Sequence, residues 1–210
     1  YKMTNWEWSK EELEKNGILT IDNVPDNVID YLKNNISDIS YNHGLAGQIK
    51  SEFEYRGWPQ SVDEFILEQT FHPIIQKEIE HHKFLSSDRP FFVNSLWANV
   101  QKKYEFNPLH HHTGILSFII FLKVPYNLED EGKVFPKSSY EISPTSKLIF
   151  LLFDSVGRPR DHQVPVDKSF ENKMLMFPAK MKHMVYPFYT SDEPRISVSG
   201  NILFWVDKRD

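Results

Sequence analysis

The sequence predicts a mainly β fold, a double-stranded β-helix (jelly roll) with supporting helices at its N-terminal end. From about Phe91 onward, short stretches rich in Phe, Val, Ile, Leu, Ser and Thr follow one another between Pro, Gly and Asn clusters. That texture belongs to strands joined by turns. Ahead of it, apolar residues recur at helical spacing instead. Aromatic residues make up 14% of the chain, with 16 Phe, 9 Tyr and 5 Trp, so a packed interior is easily supplied. A length of 210 residues suits one domain with a substantial core. No internal repeat, low-complexity tract or linker divides it. The expected organisation is a single domain over 1–210, with a strand and supporting helices in 1–90 and the jelly-roll core in 91–206.

Taken in order, Ile18 to Ile21 forms a short apolar strand, and Asp26 is placed to cap the next segment. There Val28, Ile29, Leu32 and Ile36 give one buried helical stripe. Ser61 followed by Glu64 makes a capping-box pattern ahead of Phe65 and Ile66. Pro73 should break or restart that helix, with Ile74, Ile75 and Ile79 on the buried side. Strands are then expected near 92–103, 115–124, 132–140, 145–154, 161–166, 173–177, 183–188 and 195–206. About eight short strands after a helical lead-in suit two packed sheets with helices supporting one of them.

The composition also excludes function classes. A formal charge of −5 with well-mixed charges argues against a nucleic-acid or anionic-membrane footprint. No apolar run reaches the roughly 18–20 residues of a membrane span, and no signal-peptide pattern opens the chain. A cytoplasmic location is the expectation, in the host cytoplasm for a viral protein. The absence of cysteine removes disulfides, thiolate zinc sites, Fe–S clusters and a cysteine nucleophile together. Any metal must be held by nitrogen and oxygen.

The run Asn107-Pro108-Leu109-His110-His111-His112-Thr113-Gly114 immediately precedes the apolar stretch Ile115 to Val124. In extended backbone His110 and His112 point one way and His111 the other, so two imidazoles can reach one metal from a strand end. His183, after Phe177-Pro178, opens a further strand. Neutral imidazole suits Fe, Zn, Cu and Ni. The triplet alone is equally compatible with an exposed polar turn. His43, His72, His81, His82 and His162 carry no such pattern, and His81-His82 suits a helix end, where positive charge complements the dipole.

The last strand adds weight. Arg195, Ser197, Ser199 and Asn201 share one face, while Ile196, Val198, Gly200 and Ile202 share the other. The apolar face serves packing. The polar face, headed by arginine, is a solvated surface or a binding surface. A guanidinium fork with a hydroxyl two residues on can grip a carboxylate.

Together these elements resemble the iron(II)- and 2-oxoglutarate-dependent oxygenases, most nearly a branch common in marine bacteria and their phages. The likeness spans roughly 91–206 and rests on His-x-His before an apolar strand, a distal His after Phe-Pro, and Arg-x-Ser. The resemblance implies Fe(II) on His110, His112 and His183, 2-oxoglutarate as co-substrate, and Arg195 with Ser197 at its far carboxylate. Relatives usually place Asp or Glu where His112 stands; three neutral ligands would leave the iron an extra positive charge, favouring anionic co-ligands. The implied activity is a hydroxylase-type dioxygenase acting on a small molecule or a peptide or protein side chain, with release of succinate and CO2. A three-His cupin-like metalloenzyme without 2-oxoglutarate, and a non-catalytic jelly-roll binding or structural module, are the alternatives.

Secondary candidates follow. Ser95, Trp97, Asn99 and Gln101 share a face of the 92–103 strand, and the resemblance places Asn99 and Gln101 near the co-substrate. Ser117 is a candidate for the cavity wall, Phe118, Ile120 and Leu122 for core, and Asn201 for bracing Arg195 or the ligands. Arg158, Arg160 and Tyr189 to Pro194 are expected in loops near the site mouth or on solvated surface.

Overall fold

The structure, a computed structural model, describes residues 10–36, 46–81, 90–135 and 143–205. It begins with α1 (Lys10–Lys15), β1 (Leu19–Ile21) and α2 (Asp26–Asn34). Pro25 precedes α2 in an extended conformation and no side chain caps the helix. Asp26 is therefore the first helical residue, where its charge complements the dipole, and not the cap. The same holds after β2 (Glu52–Glu54): α3 (Gln60–Glu68) follows Pro59, and Ser61 and Glu64 lie within it without forming a capping box. At both starts a proline fixes φ and hands the chain into the helix, leaving the polar side chains no cap position. A 3₁₀ turn then leads to α4 (Pro73–His81), restarted at Pro73 as expected. His43 and His82 lie outside the described residues.

The β elements are β3 (Phe91–Gln101), β4 (Asn107–His110), β5 (Leu116–Lys123), β6 (Leu148–Phe153), β7 (Pro159–Val164), β8 (Met174–Pro178), β9 (His183–Val185) and β10 (Arg195–Phe204). They form a six-stranded sheet in the order β1-β8-β5-β10-β3-β2 and a four-stranded sheet in the order β4-β9-β6-β7. Neighbouring strands are antiparallel in both sheets. The molecule is mainly β, as its sequence predicts. Among the described residues no helix is long and apolar enough to cross a membrane.

One predicted strand is corrected. Within 132–140, residues 132 and 133 close a helix, α5 (Leu128–Lys133), and 136–140 lie outside the described residues. Asn127 caps α5 by accepting from the Glu129 N–H at 2.8 Å, and three acids occupy its first turn. That is a helix start. Two strands escaped the sequence reading. β2 is only three residues long, and β4 carries Pro108.

Two cores sandwich the larger sheet. On its outer face Val28, Ile29 and Leu32 of α2, Val62 and Ile66 of α3 and Ile75 of α4 pack on Leu96, Ala98, Phe118, Ile120, Leu122, Val198 and Ile202. Between the sheets Ile119 and Phe121 meet Leu148, Phe150, Val164, Leu175 and Phe177. β5 contributes to both, which is why Phe118 to Leu122 reads as an unbroken apolar run and Leu116 to Leu122 is buried throughout.

A candidate metal centre at one end of a polar cavity

His110 ends β4 and His183 opens β9, and the two are register partners in the smaller sheet. His112 follows in the connection to β5, its N–H donating to the Ala179 carbonyl at 2.8 Å. The His110–His112 pair therefore sits on a separate short strand and its connection, ahead of β5. The ring nitrogens of the three histidines lie within 4.8 Å of one another. His111 is exposed.

The donor chemistry suits a metal ion. His110 Nδ1 lies 2.7 Å from the Pro108 carbonyl and His183 Nδ1 3.0 Å from that of Met181. A carbonyl accepts only, so each Nδ1 carries the proton and each Nε2 keeps its lone pair. His112 Nε2 stands 3.2 Å from His183 Nε2. Backbone carbonyls holding imidazoles in this tautomer are the usual outer support of metal-bound histidine. Burial first, then the neighbouring imidazoles, push His183 down to about 3 and His112 to about 4. His110 is lowered as well, mainly by burial. All three are neutral near pH 7, the form that binds metal.

The triad opens on a cavity of about 310 Å³ whose wall includes Asn99, Gln101, Arg195, Ser197, Ser199 and Asn201. Two adjacent strands supply this face. β10 runs antiparallel to β3, pairing Arg195 with Gln101, Ser197 with Asn99 and Ser199 with Trp97. Arg195 is buried, with both Nη1 hydrogens engaged: Tyr126 Oη accepts at 2.8 Å and the Ser146 carbonyl at 2.9 Å. Nη2 donates to Gln101 Oε1, and Gln101 in turn donates to the Glu105 carbonyl at 2.6 Å. Among the described residues, three of the five guanidinium N–H groups are engaged, which leaves Nε–H and one on Nη2 to meet a carboxylate.

The remaining candidates are distributed unevenly. Asn99 is buried in the cavity wall and its Oδ1 has no hydrogen-bond partner among the described residues. Ser117 lies beneath the wall, donating to Asn201 Oδ1 at 2.5 Å, so Asn201 is tied to β5 and not to Arg195. Arg158 and Arg160 lie apart from the cavity wall, pairing with Asp154 on the β6–β7 hairpin. Tyr189 and Thr190 are likewise outside the wall, held by the buried Glu131. Tyr126 and Ser146 were not foreseen, since nothing local marks a residue whose role is to meet a distant arginine. Glu52 and Glu54 also line the cavity. Their alternation around Phe53 was the available signal, in a strand too short to recognise.

A family model described as a 2OG-Fe(II) oxygenase matches residues 95–201, just over half of the chain. No curated protein matches significantly by sequence. Among solved structures, a prolyl-4-hydroxylase from Pseudomonas putida is similar with a TM-score of 0.54 at 12% identity, over 94% of this chain and 96% of that one. A 2OG-Fe(II) oxygenase family oxidoreductase from Burkholderia pseudomallei gives 0.51 at 10% identity, over 96% and 93%. HygX from Streptomyces hygroscopicus, with nickel and 2-oxoglutarate bound, gives 0.52 at 9% identity, over 93% and 87%. At these identities the likeness is one of fold.

Proposed function

The chain belongs to the 2OG-Fe(II) oxygenases, a family of oxidoreductases, and from that premise we propose that it hydroxylates its substrate with release of succinate and CO2. The observation that carries the reading is the meeting of three metal-competent imidazoles and a pre-oriented Arg195 in one cavity. His110, His112 and His183 would hold Fe(II). With O2 and 2-oxoglutarate, a metal held there would supply the oxidising chemistry for decarboxylation of the co-substrate to succinate and CO2 and hydroxylation of a substrate C–H bond.

The protein's own part is binding and orientation. Arg195 offers its free Nε–H and Nη2–H to the distal carboxylate of 2-oxoglutarate, and Ser197, on the same face, adds a hydroxyl. Tyr126, the Ser146 carbonyl and Gln101 fix the guanidinium plane before the co-substrate arrives, so little side-chain entropy is lost on binding. Gln101 acts through Arg195, because its amide oxygen and nitrogen are both engaged. The neutral ligand set leaves the full metal charge to be met by anionic co-ligands, which suits a chelating 2-oxo acid.

Anaerobic titration with Fe(II) and 2-oxoglutarate tests the reading. A visible absorption band requiring both should form in the wild type and be lost in His183→Ala. Arg195→Met should raise the 2-oxoglutarate concentration needed by about 10–100-fold, the cost of a charge-assisted bidentate contact. A wild type that binds Fe(II) without responding to 2-oxoglutarate would instead indicate a cupin-like three-His enzyme.

A further inference from the structure

The cavity has two chemically opposite flanks. Arg195 is the one Lys or Arg side chain among the described residues of its wall, and it belongs to the carboxylate-binding end. On the other side β2 pairs with β3 so that Glu52 faces Asn99 and Glu54 faces Trp97. Paired residues share a sheet face, and both glutamates line the cavity with their partners. Trp97 in turn lies with its ring 5.4 Å from that of His112. The acidic flank thus runs alongside the metal centre.

Glu52 is 3% exposed, and its carboxylate has no hydrogen-bond partner among the described residues. A buried carboxylate without donors is costly. The same fold shows what a structural one looks like. Glu131, equally buried, accepts from Tyr189 N at 3.0 Å, Thr190 N at 2.8 Å and Thr190 Oγ1 at 2.6 Å. Glu52 has no comparable donors among the described residues. A Cβ on Gly47 would fall 2.5 Å from both Glu52 Oε1 and Asn107 Oδ1, so those two oxygens converge on the space that the glycine leaves. Asn99 Oδ1, on the neighbouring strand, is a third acceptor, buried and without a partner among the described residues. Burial and the charge of Glu105 raise the Glu52 carboxyl to about 7. The carboxylates do not gather as metal ligands do, since the histidine triad is the one such group among the described residues.

We propose that the substrate carries a basic nitrogen, a primary ammonium or a guanidinium, which Glu52 binds together with the amide oxygens of Asn99 and Asn107. Three oxygen acceptors complement the several N–H donors of such a group, and the positive charge replaces the missing partner of Glu52. Glu54, at the exposed edge of the same flank, adds attraction for a cation entering the cavity. The reaction that follows rests on the oxygenase reading; the recognition rests on the flank itself.

The test uses the full chain loaded with Zn(II) and 2-oxoglutarate, titrated by isothermal calorimetry or NMR. The probes are butylammonium and butylguanidinium, set against their neutral isosteres butanol and butylurea. At least one cation should bind about tenfold or more tightly than its isostere, and Glu52→Gln should bring that preference to about twofold or less. Glu54→Gln should reduce it less. Equal binding of cation and isostere, no binding of either cation, or an undiminished preference in a folded Glu52→Gln protein would each overturn the proposal. The wild-type comparison decides the matter even where a variant does not fold. A wild type that forms the Fe(II)–2-oxoglutarate band yet shows no cation preference defeats this inference alone. A cation preference without the band defeats the oxygenase reading and leaves the recognition standing.

Discussion

Arg195 and Glu52 show how differently a buried charge can be treated within one cavity. The guanidinium is fully oriented, with three of its donors used by Tyr126, the Ser146 carbonyl and Gln101. The carboxylate of Glu52 has no donor among the described residues, and burial together with the charge of Glu105 raises its folded value to about 7 from the ordinary 4.5. For an acid whose folded value is raised, the folded state holds the proton more tightly than the unfolded chain. The resulting stability is fully present below about 4.5 and is lost as pH rises through about 7. Glu52→Gln removes that dependence. It should therefore be more stable than the wild type by roughly 1–3 kcal/mol at pH 8, and nearly equal to it at pH 4.5. Urea unfolding at the two pH values checks this, and parallel curves would contradict it.

At the scale of elements, β10 is the strand on which the site depends, since one face carries Arg195, Ser197, Ser199 and Asn201 while the other closes the helix-side core. It lies between β3 and β5, and its centre is narrow. A Cβ on Gly200 would stand 2.4 Å from Phe118 Cζ and 2.6 Å from the Ser95 carbonyl. The backbone atom cannot move aside cheaply, so Gly200→Ala should cost about 1–3 kcal/mol, read as a lowered urea midpoint. The helix α5 acts at longer range. Its Glu131 holds the Tyr189–Thr190 backbone, five residues before Arg195. Glu131→Gln replaces one acceptor by a donor facing N–H groups and should cost about 2–3 kcal/mol. Limited proteolysis should then cut near residue 190 before the rest of the chain.

For the whole molecule, the metal ligands come from the smaller sheet and its connection, whereas the carboxylate clamp comes from the larger sheet. A ligand that engages both sets therefore ties the sheets together. Metal that binds only the folded state should stabilise it, by about 2.7 kcal/mol at a hundredfold excess over Kd. Thermal unfolding with and without Zn(II) measures this. His183→Ala should abolish the increment, and 2-oxoglutarate should add to it only when the metal is present.

Much of this architecture was legible from the chain itself. Period-two alternation in β10 assigned its polar and apolar faces, and the spacing of His110 and His112 put both on one side, because alternation is a local property; His183 joined them through register, as the family resemblance implied. The helical stripe of Val28, Ile29 and Leu32 was equally local. The sequence could not show that Pro25 and Pro59 would displace the polar caps, nor that 132 and 133 would close a capped helix. Those outcomes depended on competition between neighbouring signals. It was also silent on Tyr126, Ser146 and Glu52. Each matters only through a partner 47 or more positions away, Arg195 for the first two and Asn99 for the third. Composition and periodicity determined which chemistry the chain could carry. Sheet pairing alone decided which groups share the cavity, because register brings together residues that no local pattern connects.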